Sequence, residues 1–418
     1  MFARPYRLPH LGPRRTDCSR RSRHTLWFAS LVIALLALAL TLSACGSASA
    51  TKGATPTTPT APLDAQLDGE TLYVINASPV AIAASGWSLT ALNPRTGAVR
   101  WKLPTAGMVG KPVIANGVLY VAPQDDYVYA VDAATGHIRW RFQRTVNISV
   151  TVGIDGYPAL DGDTLYVASD GGTVYALDAS SGRQRWLYTL PTGSHIYAAP
   201  AVGNGRVYVS SGGGDNAFYA LDEATGKVAW QFTAPQGFDS YPLLVGETVY
   251  AGANGFYQAS LYALDARTGK ARWQYQGTDA VIARPAYDSG HLFVAARDGS
   301  LTELDGQTGK PGWHTSLGAG GQNGGALLAT GAAPVASDGV VYVGGESGVV
   351  AALDEATGAL KWKQTVNGAV DSAPTVADGA VFVTTEKGGV YAFRASDGAP
   401  GWKYDDGGLI YASPVLAP

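Results

Sequence analysis

The sequence predicts an all-β chain, an eight-bladed β-propeller of four-stranded antiparallel blades, closed by the C-terminal strand pairing into blade one. Three observations carry this expectation. First, one pattern recurs eight times: an apolar strand ending in Ala-Leu-Asp, two variable residues, Thr-Gly, three residues, then Trp. Its tryptophans are Trp101, Trp140, Trp186, Trp230, Trp273, Trp313, Trp362 and Trp402, spaced 39 to 49 residues apart. Second, each interval holds four short apolar runs with Gly and Asp at the turns, and no run follows a 3.6-residue period. Third, the repeats use up the chain beyond its first 66 residues, so nothing remains for a second domain. Four-stranded units of this length in series describe propeller blades.

Before the repeats, residues 1–44 read as a lipoprotein signal peptide and 45–66 as a flexible tether; 67–418 form the propeller. The leader holds seven Arg against one Asp, and Leu26 to Leu42 is an uncharged run of 17 residues. It ends in Leu42-Ser43-Ala44-Cys45, which resembles a bacterial lipobox: an aliphatic residue, two small residues and a Cys. That resemblance implies diacylation of Cys45 and a lipid-anchored, extracytoplasmic protein, on the cell membrane or on an outer membrane if the host has one. The following Ala/Ser/Thr/Pro-rich stretch has almost no large apolar residue, cannot bury a core, and reads as a spacer.

Within a unit, a Pro-led strand is followed by a Gly turn, a Val-Tyr-Val type strand, a second short turn, and the strand that ends in the motif. The Asp of the motif can accept backbone N–H groups, and the Gly supplies the positive φ that closes the hairpin. The Trp then presents a flat ring to wedge between neighbouring blades. Repeat one carries Asn93 for Asp, and the last carries Arg394 for Asp and Asp397 for Thr, so its hairpin is expected to be less regular. The inner strands start at Pro112, Pro158, Pro200, Pro242, Pro285, Pro334, Pro374 and Pro414. The last has no blade after it, whereas the unit from Leu72 to Trp101 lacks a Pro-led strand. Joining the two completes eight blades and removes an exposed sheet edge.

The Ala-x-Asp-x-x-Thr-Gly-x-x-x-Trp pattern resembles the tryptophan-docking motif of the pyrroloquinoline quinone (PQQ) repeat family, the quinoprotein alcohol dehydrogenase-like propellers. WD-repeat propellers have a similar period, but no Trp here is followed by Asp. In the enzymes of that family, the resemblance implies PQQ with Ca²⁺ in the central channel, a stacked Trp on one face and a vicinal Cys-Cys disulfide on the other. This chain departs from that pattern. Its only cysteines are Cys18 and Cys45, both before the repeats. Apart from the eight motif residues and Trp27 in the leader, only Trp87 is left, and it is placed at a loop before the third strand of blade one. No cofactor is therefore expected, and the chain reads as non-enzymatic. A lipobox joined to such a propeller is similar in architecture to the propeller lipoprotein of the outer-membrane β-barrel assembly machinery. The expected role is a lipid-anchored scaffold binding a protein or envelope partner through one loop face. The alternative is a PQQ-dependent oxidoreductase or a small-ligand sensor.

Composition narrows the other classes. After the leader the chain carries 23 basic and 32 acidic residues, a net of −9, which disfavours a nucleic-acid backbone as partner. The missing thiols exclude structural disulfides, Cys-based zinc sites and Cys nucleophiles in the folded part. His137, His195, His291 and His314 are assigned to four different units, with no metal spacing. Asp155, Asp161 and Asp163 are read as turn residues rather than a Ca²⁺ cluster, and no metal is expected. What remains is the face built from the links between blades. Lys111, Asp155, Asp239, Tyr241, Arg284 and Asp371, just before the prolines, are the candidate binding face ringing the channel mouth.

Overall fold

The middle strands of each repeat are continuous apolar runs because both of their faces meet another blade. In blade four these are Arg206–Ser210 and Ala217–Asp222, buried almost throughout; the outer strand Val228–Thr233 alternates instead, turning Trp230 and Phe232 inward. The computed structural model describes residues 69–77, 87–105, 110–123, 127–144, 158–191, 193–196, 198–235, 237–238, 240–254, 259–277, 284–296, 298–317, 332–405, 407–410 and 412–417. Two units divide the chain, Met1–Lys52 and Gly53–Pro418, and every described residue belongs to the second. The segments expected to be signal peptide and tether, with Cys45 between them, therefore lie outside the described residues.

Eight four-stranded antiparallel sheets follow one another, with the strands of blades two to eight in sequence order from inside to outside. Blade one departs from this order. From outside to inside it runs Val99–Thr105, Trp87–Leu92, Thr71–Ala77 and then Val415–Ala417. The C-terminal strand pairs Thr71 with Ala417, Leu72 with Leu416 and Tyr73 with Val415. Ring closure by the last residues is thus as the proline register predicts. Eight apolar clusters hold the ring, one at each junction. The closing one joins Leu72, Val74 and Leu92 of blade one to Phe382, Val390 and Trp402 of blade eight.

Each junction is also clasped by its tryptophan. Trp230 Nε1 donates to the Ala266 carbonyl of blade five at 3.0 Å, and its ring covers Gly269 of the same turn. The Tyr208 hydroxyl, from the second strand of blade four, donates to that same carbonyl at 3.1 Å. Every motif Trp bonds a main-chain carbonyl of the following blade, from Trp101 to Ala133 round to Trp402, which reaches Pro94 at 2.6 Å. A Cβ on any of the eight motif glycines would meet the Trp ring at 2.5–2.8 Å.

The turn that carries the glycine is locally fixed. Asp132 accepts the Thr135 N–H at 3.0 Å and its hydroxyl at 2.8 Å, while Arg139 Nη2 lies 2.6 Å from the other oxygen. The hydrogen bonds from Arg139 and then Thr135 hold the Asp132 carboxyl down to about 2. In the last repeat the expected irregularity does not occur. Gly398 N–H donates to Arg394 O at 2.9 Å and Arg394 N–H to Ala399 O at 2.9 Å, as in the other turns. The backbone bonds and the positive φ of Gly398 (71°) suffice, and Asp397 accepts the Ala399 N–H at 2.9 Å in place of the Thr hydroxyl of the other turns.

Two outcomes follow from this packing. Gly226 (φ +70°) would place a Cβ 2.6 Å from Trp186, whereas Gly246 (φ +54°) faces open space. Gly226→Ala is expected to cost about 3–5 kcal/mol, from left-handed strain plus the clash, and Gly246→Ala about 1–2 kcal/mol from strain alone. Denaturant melts of the two variants measure this difference. Deleting residues 411–418 removes the inner strand of blade one and leaves a row of unpaired backbone groups. Its cost is expected to reach about 5 kcal/mol, the margin of an ordinary domain, with aggregation. Removal of residues up to 60 is expected to leave melting unchanged.

Candidate functional site

Antiparallel connectivity sorts the loops onto two ends. The turn between second and third strands and the link from an outer strand to the next inner strand share one end, and backbone bonds tie them together. Val366 N–H donates to Gly348 O at 2.8 Å, Val370 N–H to Gly345 O at 3.0 Å and Glu386 N–H to Ala369 O at 3.0 Å. At the axis, the three-residue inner strands of neighbouring blades touch one another, from Val335–Ser337 to Thr375–Ala377 to Val415–Ala417. Each begins directly after its proline, whose missing N–H no partner strand needs at that point.

In five blades the residue two before the proline is small and buried: Ala198, Ser240, Ala332, Ser372 and Ala412. It pins the link to the blade. Ser240 Oγ accepts the Gly252 N–H at 2.7 Å, and Ser210 Oγ donates to Ser240 O at 2.7 Å. Ser372 Oγ lies 2.6 Å from Thr384 Oγ1, which in turn donates to Ala412 O at 3.0 Å. Because successive side chains of extended backbone point to opposite sides, the residue just before the proline is directed at the channel. Those positions hold Lys111, Tyr241 and Arg284.

Lys111 and Arg284 belong to blades two and six, which stand opposite each other in a ring of eight. Burial, and then repulsion from Arg284, hold the Lys111 amine below its ordinary pKa. Burial likewise lowers Arg284, although its side chain keeps exposed surface; a channel wall crowds a group with protein atoms while leaving it open along the axis. Asp371 sits on blade eight, where burial, then Glu386 and Glu346, push its carboxyl up to about 6. These two glutamates lie in the second turns of blades eight and seven, so the mouth has an acidic sector. Asp155, Asp239 and the long loops 145–157 and 318–331 fall outside the described residues. Of the six predicted face residues, Lys111, Tyr241 and Arg284 hold the same register in blades two, five and six, and Asp371 belongs to the acidic sector of blade eight.

Several placements differ from expectation. Trp87 is not on a loop: it opens the strand Trp87–Leu92 and packs on the cluster between blades one and two. That position, between the sheets, does not suit a ring that must stack on a group in the channel. His291 and His314 share blade six, because the outer strand continues past Trp313. His291 Nδ1 lies 2.6 Å from Glu303 Oε1, and His314 Nδ1 lies 3.0 Å from Thr302 Oγ1. Asp161 and Asp163 flank the turn at Gly162, and Asp163 pairs with Arg185 at 2.8 Å. Among the described residues no group of three His, Cys, Asp or Glu is arranged to hold a metal. Sequence reasoning missed the ribbon of Ser194–His195 with Gly212–Gly213, which extends the loop face between blades three and four. The grooves beside Trp140, Trp186 and Trp313 lie at the opposite end and are gaps left by the docked rings.

The acidic sector yields a pH outcome. A carboxyl raised to about 6 in the fold, against 3.8 for the free group, binds its proton more tightly when folded. Its contribution to stability is therefore present below pH 4 and lost as pH rises through 6. Asp371→Asn is expected to raise stability by about 1 kcal/mol at pH 7.5, after allowing for solvent screening, and to have no effect at pH 3. Melting curves at the two pH values check the sign.

A family model described as outer membrane protein assembly factor BamB matches residues 19–153, 149–283, 258–332 and 325–415. No curated protein matches the chain. Among solved structures, BamB from Moraxella catarrhalis is similar at 19% identity, with a TM-score of 0.58 over 84% of this chain and 100% of that one. Quinohemoprotein alcohol dehydrogenase from Comamonas testosteroni is similar at 18% identity and TM-score 0.62, over 73% of this chain and 68% of that one. A europium-containing methanol dehydrogenase matches at 18% identity and TM-score 0.63, over 73% and 80%. At such identities these structural likenesses establish the propeller fold alone. The family match is different in kind, because it runs through every blade: the chain belongs to the PQQ-type repeat family described as outer membrane protein assembly factor BamB.

Proposed function

We propose that this protein is a non-catalytic scaffold, anchored by lipid at Cys45, that holds an envelope protein partner against the link face of its propeller. The family match along the whole ring carries the reading, since its description is that of an assembly factor for outer membrane proteins. The chemistry of the face supports it. Asp371 adjoins Ser372, whose hydroxyl ties that link to the blade, which gives this charged group a rigid base. Acylation at Cys45 would tether the propeller to the membrane, with residues 45–66 as the spacer.

The second reading, a quinoprotein oxidoreductase, is favoured by the likeness to the two alcohol-oxidising enzymes. Against it stand the lack of any Cys after Cys45 and the packing of Trp87 between blades. Fold likeness carries no chemistry by itself.

Three measurements test these readings. Labelled palmitate is expected to enter the wild type and not Cys45→Ser; label in the variant removes the anchor. Affinity capture from membranes is expected to recover a partner that Lys111→Ala and Arg284→Ala each retain at least tenfold less well, with melting unchanged. Equal recovery from both variants moves the interface off this face. PQQ with Ca²⁺ is expected to leave the melting temperature within a degree; a rise of several degrees with dye-linked alcohol oxidation establishes the enzyme instead.

A further inference from the structure

Six blades keep the Asp of the motif turn, and in five of them that carboxylate meets a cation of its own blade. Asp132 pairs with Arg139 at 2.6 Å, Asp178 with Arg185 at 2.8 Å, Asp265 with Arg272 at 2.7 Å and Asp354 with Lys361 at 3.6 Å. Each of these cations stands just before its docking Trp. Blade four has Ala229 there and sends Arg206 from its second strand to Asp222 at 3.2 Å instead. Blade six is the exception. Gly312 precedes Trp313, and His291 holds the place of Arg206 but turns its Nδ1 to Glu303 Oε1 at 2.6 Å. Among the described residues no ion pair reaches Asp305.

Two further replacements fall on the same groove, which lies between blades six and seven and holds about 430 Å³. Glu303 stands where the other repeats have Ala and is only 8% exposed. Its Oε2 has no hydrogen-bond partner among the described residues and lies so close over Gly312 that a Cβ there would overlap it. Phe293 replaces a tyrosine whose counterpart in blade three, Tyr166, donates to Glu223 Oε1 at 3.1 Å. Glu355 holds the place of Glu223 and receives no such hydroxyl; burial and then Asp288 push its carboxyl up. The groove beside Trp186 sets Arg185 and Arg206 among its carboxylates, whereas the groove beside Trp313 has Glu303, Asp354 and Glu355 with no arginine or lysine in its lining.

Blade six has thus lost two donors and gained an acceptor at one place. A buried carboxylate oxygen without a partner is costly until a donor or a cation meets it. The ring itself shows which group fits. A guanidinium has five N–H donors and no acceptor, so it can hold two carboxylates at once, as Arg185 holds Asp163 and Asp178, each at 2.8 Å.

We propose that the groove between blades six and seven is a binding site for a guanidinium group, that of an arginine side chain presented by a polypeptide partner. The guanidinium takes the place left by the missing arginine, between Asp305 and the unpartnered oxygen of Glu303. The groove opens to solvent, so the chain that carries the arginine stays outside. The clasp from Trp313 uses the Glu355 carbonyl and leaves the carboxylates at the groove. This site is at the end opposite the link face and does not rest on the scaffold reading.

The test is calorimetric titration of the full-length protein in detergent with the peptide acetyl-Gly-Arg-Gly-amide at fixed ionic strength. Its lysine and citrulline counterparts are the comparison, since citrulline keeps the shape of arginine without the charge. The arginine peptide is expected to saturate, with the other two binding at least about tenfold more weakly. Glu303→Gln is expected to weaken the arginine peptide to the same degree. Glu303→Ala combined with Gly312→Arg rewrites the groove to the pattern of blade five, and is expected to abolish binding and to melt at or above the wild type. Glu223→Gln, an equal loss of charge in the groove where the arginine is in place, is expected to keep full affinity. No saturable binding of the arginine peptide overturns the proposal. So does equal binding of the lysine peptide, or full affinity in Glu303→Gln, which decides the matter even where the combined variant fails to fold. Failure here leaves the scaffold reading standing, because that reading is tested by variants of the other face.

Discussion

Each docking tryptophan makes two contacts at once: its Nε1 reaches a carbonyl of the following blade, and its ring lies on the glycine three residues further along that blade's turn. The two contacts require each other. The carbonyl is presented by a turn that only a positive-φ residue closes, and the ring can approach only where that residue has no Cβ. A second-strand tyrosine often joins the clasp, as Tyr73 does at Ala133 O and Tyr120 at Ala179 O. Its ring then packs on the Trp at 5.8–6.0 Å, a contact worth about 0.5–1.5 kcal/mol beyond burial. No blade has a core of its own; the apolar clusters lie between blades, so blades are stable only as neighbours.

This explains which departures the ring tolerates. Blade six carries Phe293 for the tyrosine and Glu303 where the other repeats have Ala, yet Trp313 still reaches Glu355 O at 2.8 Å. Glu303 is accommodated because Gly312, beside it, leaves room for the carboxylate and His291 accepts its approach. Blade eight loses the turn's Asp and Thr but keeps Gly398, and the clasp from Trp362 to Ala395 O is 2.8 Å. The glycine and the tryptophan are the invariable pair of the eight repeats; the side chains that decorate the turn are replaceable.

Function is left to what the clasp does not use. The tryptophans and their turns occupy one end of the blades, so charge at the other end is free of structural duty. There Ser240 and Ser372 tie their links to the blades, and Lys111 and Arg284 stand just before the inner strands of blades two and six. A partly dehydrated channel makes those charges costly to hold alone, and the same cost makes them effective toward an oppositely charged partner.

The eight tryptophans, their spacing and the misplaced proline at Pro414 were enough to determine the fold, the number of blades and the strand that closes the ring. Such information is local and periodic, and a repeat states it eight times over. The sequence also named candidate face residues, of which Asp155 and Asp239 lie outside the described residues. What the tertiary structure alone decided is which of them meet. Lys111 and Arg284 are 173 positions apart in the chain and face each other only because half a turn of the ring brings blade six opposite blade two. Trp87 and the blade-six histidines were misplaced for the same reason: where a strand begins and how far it continues depend on the partner strand beside it. Periodicity specifies the repeat, whereas closure of the ring specifies the distances across it, and no residue carries that curvature by itself.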